Sequence, residues 1–239
     1  MSEPAAPEKI KTKNLKPRGW LGKIFGRHAP LWVKLIRTPV LGLAAVMTID
    51  TAVLPQMPGR ALTPGEGTML REVYGDSIDY ARVRVHQSPA ADVYLSIMGQ
   101  TAVTKGNVIF LETATGTDDI AKSGDTYLQY TLTHEGGHVW QGQNGVMPNA
   151  FSRMALNLSR FLPGDDKHGD YRYSVLEGKD LLQYNVEQQA SIITEFHFLS
   201  KGLQDPLFNS DAKAKPADVK AGYEATLKNF HANPSYPKK

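Results

Sequence analysis

The chain has no cysteine. Disulfides and thiolate ligands are therefore excluded, and any tightly held metal must rest on His, Asp or Glu. It also lacks a stretch of about 20 apolar residues of the kind that crosses a bilayer. The most apolar run, residues 40–49, lies between Arg37 and Asp50, which bracket twelve positions. Extending it to Leu54 would place Asp50 in the hydrocarbon at a cost of a few kcal/mol. The run also begins too far along the chain for a secretory signal peptide, which occupies roughly the first 15–30 residues. Internal repeats are missing. The formal charge of +3 is too small to imply a nucleic-acid partner.

That charge is unevenly placed. Residues 1–37 hold nine Lys or Arg against two acids, Glu3 and Glu8, and the remainder is slightly acidic. Residues 1–19, rich in Pro, Lys and Ala, read as a disordered basic arm. Residues 20–54 mix Trp20, Phe25, Leu31, Trp32, Leu35 and Ile36 with Lys and Arg. Such a mixture suits a basic amphipathic element on a membrane surface or partner, or a helix packed on the rest of the chain. Pro55, Pro58 and Gly59 form a linker. With 239 residues, 41% of them hydrophobic, the chain can bury the core of one domain with appendages.

The chemistry-bearing stretch is His134-Glu135-Gly136-Gly137-His138. On a helix, residues four apart lie one above the other on the same face, so His134 and His138 can share one Zn²⁺. Glu135, one step round, can reach a metal-activated water. Asp125 is a candidate N-cap, Leu128, Leu132 and Val139 repeat on related turns, and Gly142 with Asn144-Gly145 marks the stop. A chance match on an ordinary amphipathic helix is disfavoured by Gly136 and Gly137, each costing a helix interior about 1 kcal/mol relative to Ala. Some packing or access requirement must hold them there.

A catalytic zinc takes three protein ligands. The third is sought downstream, where residues 180–193 read as the opening of a second helix with Glu187 in its first turns. A first-turn acid is also favoured by the helix dipole alone. His168, in a polar Gly-Asp-rich loop, and His197, ten residues past Glu187, are its rivals.

Four segments together carry a family resemblance. They are Leu62-Thr63-Pro64-Gly65-Glu66 running on to Tyr74-Gly75-Asp76 and Val83-Arg84-Val85-His86; Ala102-Val103-Thr104-Lys105-Gly106-Asn107-Val108-Ile109-Phe110; the His134–His138 stretch with Val139-Trp140-Gln141; and Glu187-Gln188-Gln189-Ala190. In order and spacing, over roughly residues 60–200, the chain resembles the zincin-like domain of the extracellular contractile injection system core family, especially short bacterial Vgr-related proteins. The resemblance implies an α+β, minimal zincin-like metallopeptidase fold, with a small sheet packed on the His134–His138 helix and a second helix bearing a ligand. It implies Zn²⁺ held by His134, His138 and Glu187, with Glu135 as acid/base, and residues 108–112 as a strand that could take an extended peptide. Family members commonly carry a bulkier residue where this chain has Gly136-Gly137. That departure leaves the ligands intact and bears on helix stability and pocket shape. The expected division is a basic arm over 1–58, a zincin-like catalytic domain over 59–204 and a C-terminal tail with one helix over 205–239.

Thr63-Pro64-Gly65-Glu66 is a helix start with a capping box, and Gly75 is its end. Residues 81–86 alternate as a strand with His86 at its end, residues 92–98 are ambiguous, and residues 102–111 suggest a hairpin. After the metal helix, Met154, Leu158, Phe161 and Leu162 recur at helical spacing, followed by a polar loop over 163–170. Val219, Tyr223, Leu227 and Phe230 form a docking stripe in the tail.

The function expected is a bacterial zinc-dependent peptidase, with Glu135 as general base and a peptide or protein as substrate. The oxyanion of its reaction needs a donor, for which Tyr171, Tyr173, Tyr184 and His168 are candidates. Asn185 or Asp180 could support a ligating histidine, with Gln141 and Trp140 in structural roles. The alternative is a non-catalytic, zinc-stabilised module of an injection or secretion apparatus, against which the retained Glu135 argues. A third reading makes the basic N-terminus a membrane-surface or secretion-apparatus contact. Location follows as cytoplasmic, membrane-associated or exported by a specialised system.

Overall fold

The computed structural model describes residues 57–147, 171–203, 207–211 and 213–238. The basic arm and amphipathic segment, apart from residues 57 and 58, lie outside the described residues. So do the 154–162 helical stripe and the 163–170 loop with His168.

The described chain is α+β. Its elements are β1 (Arg60–Ala61), α1 (Pro64–Tyr74), β2 (Arg84–His86), α2 (Pro89–Met98), β3 (Ala102–Lys105), β4 (Val108–Leu111), α3 (Thr126–Gln143), α4 (Val186–Ser200), α5 (Pro216–Thr226) and α6 (Lys228–Ala232), with short 3₁₀ turns between. None of the described helices is long and apolar enough to cross a membrane.

Local chemistry explains most boundaries. Thr63 Oγ1 accepts the Glu66 N–H, and the Glu66 carboxylate accepts the Thr63 N–H, closing the capping box of α1. Gly75 stops that helix at φ +54°, where other residues are strained. Asp125 caps α3 by accepting from Tyr127 and Leu128 N–H at 2.9 and 3.2 Å. The strand expected over residues 81–86 is shorter, because Asp79 caps a 3₁₀ turn at Tyr80–Arg82 and uses those residues first. The ambiguous stretch is α2, capped by Ser88 with Pro89 at its first position.

The sheet order is β1-β2-β4-β3, with β4 antiparallel to β3 and parallel to β2. The expectation that residues 108–112 form the open, peptide-binding edge is therefore corrected: β4 is paired on both sides, and among the described residues the edges are β1 and β3. The β3–β4 hairpin turns through Gly106 at φ +61° and Asn107. Side chains of β4 alternate: Phe110 packs with Ala91, Tyr94 and Leu95 of α2, whereas Ile109 and Leu111 join the main core.

In the main core, Leu70 and Tyr74 of α1 and Ile192 of α4 surround Leu132, Val139 and Trp140 of α3. The C-terminal residues carry two helices rather than one, and Tyr223, Leu227 and Phe230 are buried in this same core. Phe230 sets its ring edge-on against both Trp140 and Tyr74, and Trp140 Nε1 donates to Pro234 O at 2.7 Å. Phe230→Ala should therefore destabilise the protein by about 3–5 kcal/mol in urea denaturation. A loss below about 1 kcal/mol would show that the C-terminal helices only lean on the domain.

Candidate metal centre

The 18-residue helix α3 is buried along the turns that carry His134, Glu135 and His138. The two imidazoles sit one turn apart, ring centroids 5.0 Å apart and nearly perpendicular at 84°. Asn185 caps α4 with Gln188 closing the box, which places Glu187 in the first turn. Its Oε2 lies 3.1 Å from His138 Nε2 and 3.5 Å from His134 Nε2. A tetrahedral ion with bonds of about 2.0–2.1 Å sets neighbouring ligand atoms about 3.3 Å apart. The donor set and spacing thus fit one Zn²⁺. One ligand atom each from His134, Glu135 and His138 also falls within 4.8 Å of the others, so Glu135 borders the same space.

Burial sharpens the electrostatics. Burial opposes charge on His138, but the Glu187 carboxylate beside it outweighs this and pushes its pKa up to about 9. Burial likewise raises Glu187, and the two histidines overcome it, holding the carboxyl well below the usual range. Glu187 and His138 thus favour their charged forms against burial as a buried ion pair.

Two supporting residues were not assigned to this task from sequence. Gln141 Oε1 accepts from His138 Nδ1 at 2.8 Å, which leaves Nε2 to face Glu187. Its amide donates to Val186 O at 2.7 Å and Gln189 Oε1 at 3.1 Å, tying the histidine to the backbone just before Glu187. Gln141 is three residues past His138 on the same face, the signal that could have found it. Asn185 and Asp180, the candidates for supporting a histidine, serve as caps. Asn185 caps α4, and Asp180 caps a 3₁₀ turn and takes Asn229 Nδ2 at 2.8 Å. The second residue is Thr104 of β3, whose Oγ1 lies 2.7 Å from Glu135 Oε2 and 3.1 Å from Glu135 O. Nothing in the sequence signals this contact across 31 positions.

The proposed oxyanion donors separate. Tyr171 lies beside the centre, its ring 6.0 Å from that of His134 and stacked on Phe208 at 5.1 Å. Tyr173 and Tyr184 point elsewhere, their hydroxyls donating to Glu195 and to Ser174 O. His168 lies outside the described residues. His197 packs against Phe198 away from the ligands.

The glycines have a physical reason. A Cβ on Gly137 would stand 3.0 Å from Ala190 Cβ and 3.1 Å from Tyr74 Oη, and one on Gly136 would stand 2.7 Å from Leu70 Cδ2. Bare backbone at these positions lets α1 and α4 approach α3, and the approach of α4 is what brings Glu187 to the two histidines.

The eCIS core domain family matches residues 60–146, from β1 to the end of α3. The chain is 34% identical over 175 residues to the type VI secretion system spike protein VgrG2b of Pseudomonas aeruginosa, covering 72% of this chain and 15% of that protein. It therefore spans only a small part of this curated relative's length. The solved effector domain of Pseudomonas aeruginosa VgrG2b is similar at 30% identity and a TM-score of 0.51, over 81% of this chain and 97% of that domain.

Two outcomes follow from this geometry. Gly137→Ala gains about 1 kcal/mol of helix propensity yet overpacks the α3–α4 contact at a typical 1–3 kcal/mol. Net destabilisation is expected in urea, and a variant more stable than wild type would refute the packing account. In chelator-treated protein, the raised His138 contributes stability fully below pH 6.5 and loses it as pH rises through about 9. The depressed Glu187 contributes fully above pH 4.5 and loses it as pH falls toward its folded value. Their contribution should peak between 4.5 and 6.5 and be smaller near pH 9.5, a fall that Glu187→Ala should flatten in urea titrations.

Proposed function

The chain belongs to the Vgr-related, eCIS core family, and from that premise we propose that it is a zinc-dependent peptidase acting as a secretion-system-associated effector. The carrying observation is the convergence of His134, His138 and Glu187 from two helices on one point, with Glu135 beside it. The small sheet laid over α3, and the ligand supplied by a second helix, support a zincin-like assignment of the α+β fold. The relative named as a spike protein, and the solved relative named as an effector domain, support export by a specialised secretion system.

His134, His138 and Glu187 would hold the ion, which when bound supplies carbonyl polarisation and acidifies water. Glu135 takes a proton from the attacking water and returns it to the leaving amine. Thr104 donates to Glu135 Oε2 at 2.7 Å, holding the carboxylate in one orientation. Tyr171 is the candidate donor to the developing oxyanion by position.

The same Thr104 links the base to the substrate. Lys105 pairs with Val108 and Val103 with Phe110 across the hairpin. In an antiparallel ladder closed by a two-residue turn, the alternate residues aim their N–H and C=O groups outward. Ala102 and Thr104 therefore offer backbone groups along the edge of β3 that is unpaired among the described residues, and the Thr104 hydroxyl meets Glu135. An extended peptide added there as a further strand would cross the metal centre. A purely structural zinc site would have no use for a carboxylate held in this way.

Elemental analysis of wild type, Glu187→Ala and Glu135→Gln tests the reading. About one zinc per chain is expected in wild type and Glu135→Gln, and little in Glu187→Ala. Peptidase activity should fall by about 10²–10⁴ in Glu135→Gln. A wild type that neither carries nor takes up zinc would overturn the peptidase.

A further inference from the structure

We propose that Glu195 is a positioning residue for the metal centre, setting through Tyr130 the register in which α4 lies against α3 and holding through Tyr173 the segment that bears Tyr171. The inference rests on reading His134, His138 and Glu187 as metal ligands.

Glu195 is 1% exposed, on the same helix as Glu187 and eight residues beyond it. Tyr130 stands eight residues before His138 on α3. Tyr130 Oη donates to Glu195 Oε1 at 3.1 Å, and His138 Nε2 meets Glu187 Oε2 at 3.1 Å. The two helices are thus antiparallel, and these two rungs, among the polar links between them, have the same eight-residue offset on each helix, about 12 Å along the axes. Between the rungs lies the close approach of Gly137 to Ala190. Smooth contacts between small residues permit sliding. A rung with one acceptor and one donor does not.

The carboxylate also receives the Phe208 N–H at 2.9 Å and Tyr173 Oη at 2.7 Å. Tyr173 Oη is 2.6 Å from Tyr223 Oη, which takes Asn209 Nδ2 at 3.1 Å. All these donors point one way, from Asn209 through Tyr223 and Tyr173 to an acid that can only accept when ionised. No Lys or Arg pairs with it among the described residues. Shifting α4 by one residue would strand a buried carboxylate and three donors at once. An apolar pair would bury comparable area without that penalty, which is how a buried polar group specifies register. The same bond fixes Tyr173 in its bridge with Asn209, two residues after Tyr171, whose ring lies against His134.

The test is zinc affinity by chelator competition, with the visible spectrum of the Co²⁺-loaded protein, for full-length wild type, Glu195→Gln, Tyr130→Phe and Tyr173→Phe. Glu195→Gln sets an amide beside three donors. Each Phe variant removes one hydroxyl and covers the case in which Glu195→Gln fails to fold. Zinc affinity should fall about 10- to 100-fold in Glu195→Gln, less in each Phe variant, with altered cobalt bands. A merely structural role would lower the melting temperature of metal-free protein yet leave affinity within about twofold and the bands unchanged. That result, in a wild type that binds zinc, overturns this inference and leaves the peptidase standing. A wild type without metal overturns both.

Discussion

The approach of two helix backbones at Gly137 and Ala190 is the constraint that the rest of the structure serves. A histidine pair on one helix provides only two ligands, and a third must come from an element whose distance is set by packing. With a Cβ at Gly137, Ala190 Cβ would sit 3.0 Å away, so α4 would have to give way by a few tenths of an ångström. The two glycines cost helix propensity of about 1 kcal/mol each. They persist because the core formed around α3, with Leu70, Tyr74 and Ile192 against Leu132 and Val139, holds the helix in place of its own propensity. Tyr74 adds a polar tie, its hydroxyl donating to Thr133 O at 2.8 Å just before His134.

Around that contact the fold distributes buried carboxylates, each satisfied differently. Glu66 is fully buried and receives Arg60 in bidentate fashion at 2.7 Å, with the Thr63 and Ile120 N–H groups. It joins β1, α1 and the turn that leads into α3. Glu195 is met by hydroxyls and backbone N–H groups, with no Lys or Arg on it among the described residues. Glu187 is met by imidazoles, and of the three it is the one whose partners can also coordinate a cation. An unpaired buried carboxylate would cost several kcal/mol, so these three sites specify how the elements assemble as well as how tightly.

The sheet contributes through its edge. Pairing β4 on both sides leaves β3 with one side unpaired among the described residues, and Thr104 on β3 reaches Glu135 on the helix beneath. In the proposed peptidase, the backbone groups that would receive a peptide and the side chain that would steady the base therefore occupy one strand, tying substrate position to the orientation of Glu135.

Local rules were legible in the amino-acid order alone. The capping box at Thr63 and Glu66, the Asp125 cap, the hairpin around Gly106 and the placing of His134 and His138 on one face depend on residues within about four positions of each other. What depended on distant partners was not. The distance at which Glu187 meets the histidines, the part played by Gln141 in joining α3 to α4, and the contact of Thr104 with Glu135 involve elements 31 or more positions apart. The identity of the edge strand belonged to the same class, because β4 is made internal by β2, more than twenty residues earlier. Gly136 and Gly137 were visible as an anomaly, but their reason lay in Leu70 and Ala190. Periodicity reports which face a helix hides, whereas only packing decides what lies against that face and at what distance.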